Sequence, residues 1–305
     1  MDAMLMPELH VGRAASVGPL TVFPVWTGAV PPAGLVTGRA ARVSVAEREG
    51  SPVVGELVIT NAGMKPMLLL EGELLEGGWQ HRVLQHDLVL APGCSLVAAV
   101  ACVEAGRWKG RTGHRRAARR ASPSVRGALN ITPVEDRQQA VWARVAQYDG
   151  AFGPSATSSY LDHLDQLANP DAPDDRADLL AKAHAVRPLP GQRGVLVGFA
   201  GQPVLLELFP STSALGSHLP ELLTGMLLDA VARGIPAEVT PGRRARRLVG
   251  RLDGLTARAD RGIDAGLATS FAADTANTVV RGVGIGDRWA HLTVLNRRHQ
   301  LLEVA

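Results

Sequence analysis

The sequence predicts an α+β fold: an N-terminal antiparallel β-sandwich or open barrel, a helical middle region, and a C-terminal ββααβββ sheet with helices on one face. Three observations predict it. Short apolar segments separated by turn residues recur through the first hundred residues without helical periodicity. An arginine-rich stretch then leads into apolar positions spaced as on helices. A hairpin, two helical stripes and three strand patterns close the chain, an order that suits one sheet carrying helices. The divisions are 15–110, a β-rich domain; 111–190, a basic loop and helical connecting region; and 191–305, an α+β domain.

In the front half, Leu20–Trp26, Gly38–Glu47 and Val53–Thr60 read as strands. Within the last, Leu57 and Ile59 share one face while Glu56, Val58 and Thr60 share the other. Met67–Leu75, Arg82–Leu90 and Ser95–Glu104 continue the series. In the middle, Val141, Val145 and Tyr148 mark a helix over 136–151. Ser155 or Thr157 can cap a second helix through Tyr160, Leu161, Leu164 and Leu167, and a third spans about 175–185. The back half opens with a hairpin of Val195–Ala200 and Pro203–Phe209 around Gly201-Gln202. A helix from Pro220 to Arg233 carries Leu222, Leu223, Met226 and Leu227 on one stripe, with proline tolerated in its first turn. Arg243–Leu252 reads as the next helix, and Leu267–Ala272, Thr278–Ile285 and Arg288–Leu295 as closing strands.

A chain of 305 residues with 46% hydrophobic content can bury a large core, built mainly from Leu, Val and Ala because aromatics are only 4%. Of 32 basic residues only Lys65, Lys109 and Lys182 are lysine, a bias that compositional drift or arginine-specific anion recognition produces. Cys94 and Cys102 form neither a metal-type pair nor a disulfide framework. Residues 1–13 lack a basic region followed by an apolar run, so no signal peptide is expected. No apolar run approaches the ~20 residues of a membrane span. A cytoplasmic location and no membrane partner are the expectations.

The densest candidate chemistry lies in Leu68–Arg82. On one strand Glu71 and Glu73 would project the same way, their Cβ atoms about 7 Å apart at a rise of ~3.3 Å per residue. That spacing suits an acid/base pair or two oxygen ligands of a hard cation; it equally suits a solvated sheet rim. Gly72 allows close backbone approach, and Gly77-Gly78 aims Trp79, Gln80 and Arg82. Cys102 and Glu104 share a face just before Arg107 and Trp108. Acids, an amide, arginines and indoles around glycine turns suit a nucleotide or sugar groove. No metal site is expected: His81 and His86 fall on opposite sides of a regular strand. Cys102 reads as a packed thiol. His291 reads as an unremarkable polar position.

From Arg107 to Arg126 there are eight Lys/Arg residues and no acid, more cationic charge than the formal +3 of the whole chain. Such a stretch reads as a mobile solvated loop or as a phosphate binder. Nucleic acid through Arg111–Arg126 is disfavoured, because no aromatic residue interleaves the arginines. A second cluster, Arg243, Arg244, Arg246 and Arg247, reads as a solvated helix face.

Several segments together resemble the bacterial ARG-and-rhodanese-phosphatase-superfamily-associated protein family, where ARG means ADP-ribosylglycohydrolase. They are PLTVFPVW (Pro19–Trp26), LLLEGELLEGGWQHRVL (Leu68–Leu84), CVEAGRWKG (Cys102–Gly110), QAVWARV (Gln139–Val145), the helix start at Ser155, and GVLVGFAGQPVLLELF (Gly194–Phe209). The resemblance implies a setting in NAD or ADP-ribose metabolism and supplies no reaction or cofactor. It marks Gly72, Glu73, Gly77, Gly78, Gln80, Arg82, Cys102, Glu104, Arg107 and Trp108 as positions of interest. Three readings follow. The first is an accessory protein binding an ADP-ribose-like ligand where Glu71–Arg82 meets Cys102–Trp108. The second is a hydrolase of such a ligand, with or without assistance from Mg²⁺, with Glu71, Glu73 and Glu104 as catalytic groups. The third is a non-enzymatic structural module or one that binds a protein partner.

Overall fold

The structure, a computed structural model, describes residues 2–50, 53–110, 112–172, 175–234 and 236–303. Four short strands open the chain: β1 (Ala3–Leu5), β2 (His10–Val11), β3 (Ala15–Val17) and β4 (Leu20–Trp26). The front half continues with β5 (Val43–Ala46), β6 (Glu56–Asn61), β7 (Met67–Leu69), β8 (Glu73–Gly77), β9 (Arg82–Leu84), β10 (Leu88–Leu90), β11 (Ser95–Cys102) and β12 (Gly113–Arg120). Helices α1 (Pro123–Ile131), α2 (Arg137–Ala146), α3 (Asp149–Phe152), α4 (Tyr160–Leu167) and α5 (Arg176–Ala185) fill the middle. The back half is β13 (Gly194–Phe199), β14 (Gln202–Leu208), α6 (Thr212–Arg233), α7 (Gly242–Gly250), β15 (Thr256–Ala259), β16 (Thr269–Asp274), β17 (Thr278–Ile285) and β18 (Arg288–Asn296).

Of the two expected front-half architectures the barrel is realised, and it is closed, in the order β11-β6-β5-β12-β8-β9. Closure removes the unpaired edges a small open sheet would expose. Leu57 and Ile59 point inward as the alternation predicts, against Val45, Leu75, Leu84 and Val100. Two predicted strands are each split. Met67–Leu75 breaks at Gly72, whose φ of 82° favours glycine, so β7 leaves the barrel and pairs with β10. Arg82–Leu90 divides likewise, into β9 in the barrel and β10 outside it.

The basic stretch is not a loop over 113–120: it is a barrel strand, β12, between β5 and β8. Arg115 pairs with Glu76 at 2.7 Å and Arg116 with Glu73, so acids on the facing strand neutralise a run that has none of its own. Arg111 lies outside the described residues. Beyond it, Ser122 accepts from the Val125 N–H and Pro123 sits in the first turn, starting α1 inside what read as loop.

The second sheet runs β1-β15-β16-β17-β18-β14-β13-β4-β2, with β3 also on β4. It takes strands from both ends of the chain, Leu20 of β4 pairing with Phe199 of β13 and Val25 with Gly194. The β13–β14 hairpin turns at Ala200-Gly201, both with positive φ, one residue earlier than Gly201-Gln202. Helix α6 starts at Thr212, two turns before Pro220, because Ser211 caps it through the Ala214 N–H. In one further respect the sheet differs from expectation: helices cover both its faces. Leu215, Leu219, Leu223 and Met226 of α6 pack with Val195, Val197 and Phe199. Ala245, Leu248 and Val249 of α7 pack with Leu196, Leu206, Phe271 and Leu292. The central strand β13, and β14 beyond Gln202, are accordingly buried on both sides. Among the described residues no helix is long and apolar enough to cross a membrane.

Candidate functional site

Strand register brings one half of the expected site together. Cys102 of β11 lies opposite Arg82 of β9, and the turn at Gly77 (φ 108°) and Gly78 (φ 55°) folds over them. Glu104 accepts at 2.9 Å from the His81 backbone N–H, at 2.8 Å from Thr157, and at 2.8 and 2.7 Å from Nε and Nη2 of Arg107. Burial would raise the Glu104 carboxyl, but Arg107 and the other donors hold it below its usual value. Arg107 also donates to the Gly78 carbonyl at 2.9 Å, and Gln80 bridges Arg82 (3.0 Å) to the Glu104 carbonyl (2.8 Å). The Cys102 thiol donates to that same carbonyl at 2.9 Å, and burial pushes its pKa up, so it is a packed thiol and a poor nucleophile. These donors and acceptors largely satisfy one another. Trp108 stands apart, 52% exposed.

Glu71 and Glu73 do not join them, nor each other. The turn at Gly72 sends them to different arginines. Glu73 accepts from the Leu70 N–H at 3.0 Å and from Arg116; burial would raise its carboxyl, and the Arg116 charge lowers it instead. Glu71 accepts from Arg126 Nε at 2.8 Å and Asn130 at 3.1 Å. Arg126 continues to Glu207 at 2.5 Å, and Glu207 to Arg120 at 2.6 Å. His291 lies 3.7 Å from Glu207 and bonds Asp87 through Nδ1 at 2.7 Å, while Asp87 accepts from the Glu71 N–H at 2.7 Å.

His291 is therefore not an ordinary polar position. It is fully buried, and although burial would lower its pKa, Asp87 and Glu207 raise it to about 9. Arg120 and Arg126 overcome burial to hold Glu207 well below the carboxylate range. Three anions (Glu71, Asp87, Glu207) thus balance three cations (Arg120, Arg126, His291) where the barrel, α1 and the sheet meet. Sequence reasoning missed this network because its partners lie far apart along the chain: Arg120 and Glu207 are 87 residues apart.

Arg120 also forms part of the wall of a cavity of about 740 Å³. Its walls are Arg39 and Ala40, the end of β12 (Ala118, Arg119, Arg120), α4, α5 and the first half of α6. Local backbone builds it. The β8–β12 register shifts between Arg116 and Arg120, and Ala118 takes a φ of 49°, rare for a residue with a Cβ. The distortion leaves Arg119 partly exposed beside Asp165 at 2.6 Å and Arg120 fully buried. Arg120 donates to Glu207 and to the Glu71 carbonyl at 2.7 Å, while its Nε has no partner. Arg39 is exposed and makes no ion pair among the described residues. Leu164, Leu180 and Pro220 supply apolar wall; His184, Ser217, Thr224 and one carboxylate, Glu221, supply polar groups. The Glu221 Oε2 is buried without a hydrogen-bond partner, 3.7 Å from His218 Nδ1. No signal along the chain groups residues 39, 118–120, 164–184 and 216–224.

Among the described residues no group of three or more His, Cys, Asp and Glu side chains is arranged to hold a metal ion. No curated protein and no solved structure matches the chain. The family described as ARG and Rhodanese-Phosphatase-superfamily-associated Protein domain (ARPP-1) matches residues 8–295, nearly the full length, and the chain belongs to that family.

Proposed function

We propose that this protein binds a phosphorylated, ADP-ribose-like small ligand in the cavity between β12 and helices α4, α5 and α6, as an accessory to ADP-ribose-processing enzymes. The observation that carries the reading is the lining: Arg39 and Arg119 against a single carboxylate, with the buried Arg120 in the wall behind them, in a volume of about 740 Å³. That volume lies in the range of small-molecule sites, and guanidinium groups suit phosphate oxygens. In this reading Arg39 and Arg119 take the pyrophosphate, Arg119 exchanging its exposed Asp165 partner for the ligand. Glu221 accepts from ribose hydroxyls, and Leu164, Leu180 and Pro220 hold the base. The family's name, which records association with such enzymes, supports the ligand class.

The hydrolase reading has less support. Glu71, Glu73 and Glu104 are each committed to a separate arginine, and none faces a second free carboxylate. Calorimetry with ADP-ribose and NAD tests the binding reading. Saturable heat is expected, with Arg39→Ala and Arg119→Ala each weakening affinity by about 10- to 100-fold, as losing a charge-assisted hydrogen bond of ~1.5–3 kcal/mol implies. Arg107→Ala should leave affinity unchanged. No heat at millimolar ligand with folded protein ends the reading.

A further inference from the structure

Helix α7 carries arginines that the cavity does not use. Its apolar residues Ala245, Leu248 and Val249 face the sheet, on the side opposite α6. Arg244, Arg247 and Arg251 follow at i, i+3 and i+7, so they form one stripe along the edge of that buried face. Together with Gln202, Asn296, Pro203 and Leu248 they line a recess of about 100 Å³ that contains no carboxylate. The space equals roughly three waters, enough for a phosphate or pyrophosphate group and too little for a nucleoside.

The arrangement is partly built. Arg244 is anchored by a 2.6 Å hydrogen bond to the Gly201 carbonyl at the β13–β14 turn. The Asn296 side chain is buried and fixed by its 2.8 Å bond to the Pro203 carbonyl. Arg247 and Arg251 are exposed, and among the described residues neither makes an ion pair or a side-chain hydrogen bond. The Glu238 carboxylate packs over Gly201 without pairing with Arg244. Like charges at i and i+4 destabilise a helix, as Arg247 and Arg251 do here, and an acidic residue on α7 would relieve this. None is present. A doubly charged anion between the guanidinium groups would relieve it equally.

We propose that this recess is a second, separate site, which takes a phosphate or pyrophosphate group of a small molecule. Guanidinium groups line it from two successive turns of one helix and from its C-cap, an arrangement suited to tetrahedral oxyanions. The site shares no residue with the cavity on the other face of the sheet, so it stands or falls independently of the ligand proposed there.

Thermal unfolding of the full chain in inorganic pyrophosphate, against chloride at matched ionic strength, tests the inference. Pyrophosphate should raise Tm by several degrees. The double variant Arg247→Gln/Arg251→Gln should unfold at or above the wild-type temperature in chloride, because repulsion is relieved, and should lose most of the pyrophosphate increment. Arg258→Gln, which removes an exposed arginine that lines neither site, should keep that increment. Equal increments in wild type and the double variant overturn the proposal, as does no increment beyond chloride. If instead only a duplex oligonucleotide binds, with a steep salt dependence and no response to pyrophosphate, the face is a polyanion-docking surface and the small-anion site is wrong.

Discussion

Replacing Glu207 by glutamine removes one charge from the centre of the buried network without changing side-chain shape. In the native protein Glu207 is 0% exposed and serves Arg120, Arg126 and His291. After Glu207→Gln, Arg126 keeps Glu71, but Arg120 retains only the Glu71 carbonyl. Two anions then face three cations in a region closed to water. Breaking a buried pair on one side costs about 3–5 kcal/mol, and the glutamine oxygen recovers ~1 kcal/mol by accepting one bond from Arg120. A net loss of about 2–4 kcal/mol is a large share of the ~5–15 kcal/mol typical of a folded domain. In urea, with a slope of roughly 3 kcal/mol per molar, the midpoint should fall by about 1 M. Adding Arg120→Met to Glu207→Gln should restore part of that loss, because the stranded cation goes too. A midpoint within about 0.2 M of wild type at unchanged slope would show that water or rearrangement already compensates these charges, and would refute the account of the network.

The His291 imidazole gives a pH signature. Its folded pKa of about 9 exceeds the ~6.5 of an unfolded histidine, so its stabilisation is complete below pH ~6.5 and is lost as pH rises through 9. The shift corresponds to about 3 kcal/mol. Denaturation at pH 6.5 and 9.5 should show that loss in wild type and a much smaller one in His291→Gln; equal losses contradict it. Gly72→Ala should destabilise by at least ~1–2 kcal/mol, because a Cβ at φ 82° is strained and would sit 3.0 Å from the Arg126 Cδ. A neutral effect in the same urea assay would mean that this turn does not hold Glu71 and Glu73 apart.

The legible parts of the fold were those whose pattern is local. Leu57 and Ile59 alternate along one strand, and Thr278–Ile285 is bounded as its apolar run suggests. What escaped depends on distant partners. The arginines of 113–120 read as a solvated loop because Glu73 and Glu76, which neutralise them, sit on another strand. The glutamates at 71 and 73 read as a pair because period-two reasoning assumes a continuous strand, and the left-handed Gly72 breaks it. Of the candidate site, the meeting of Gln80, Arg82, Cys102, Glu104 and Arg107 followed from two strands being neighbours. Their mutual saturation did not, since it needs the His81 and Thr157 donors from outside the motifs. The cavity was invisible for a simpler reason. A bulged strand, a turn and three helices each contribute a few ordinary residues to it.

The most direct measurement for the proposed function is a crystal structure of the protein soaked with ADP-ribose. Ligand density is expected in the cavity, with the pyrophosphate between Arg39 and Arg119 and the base against Leu164 and Leu180. Density confined to the turn around Gly77, Gln80 and Arg107, or an empty cavity at saturating ligand, contradicts it.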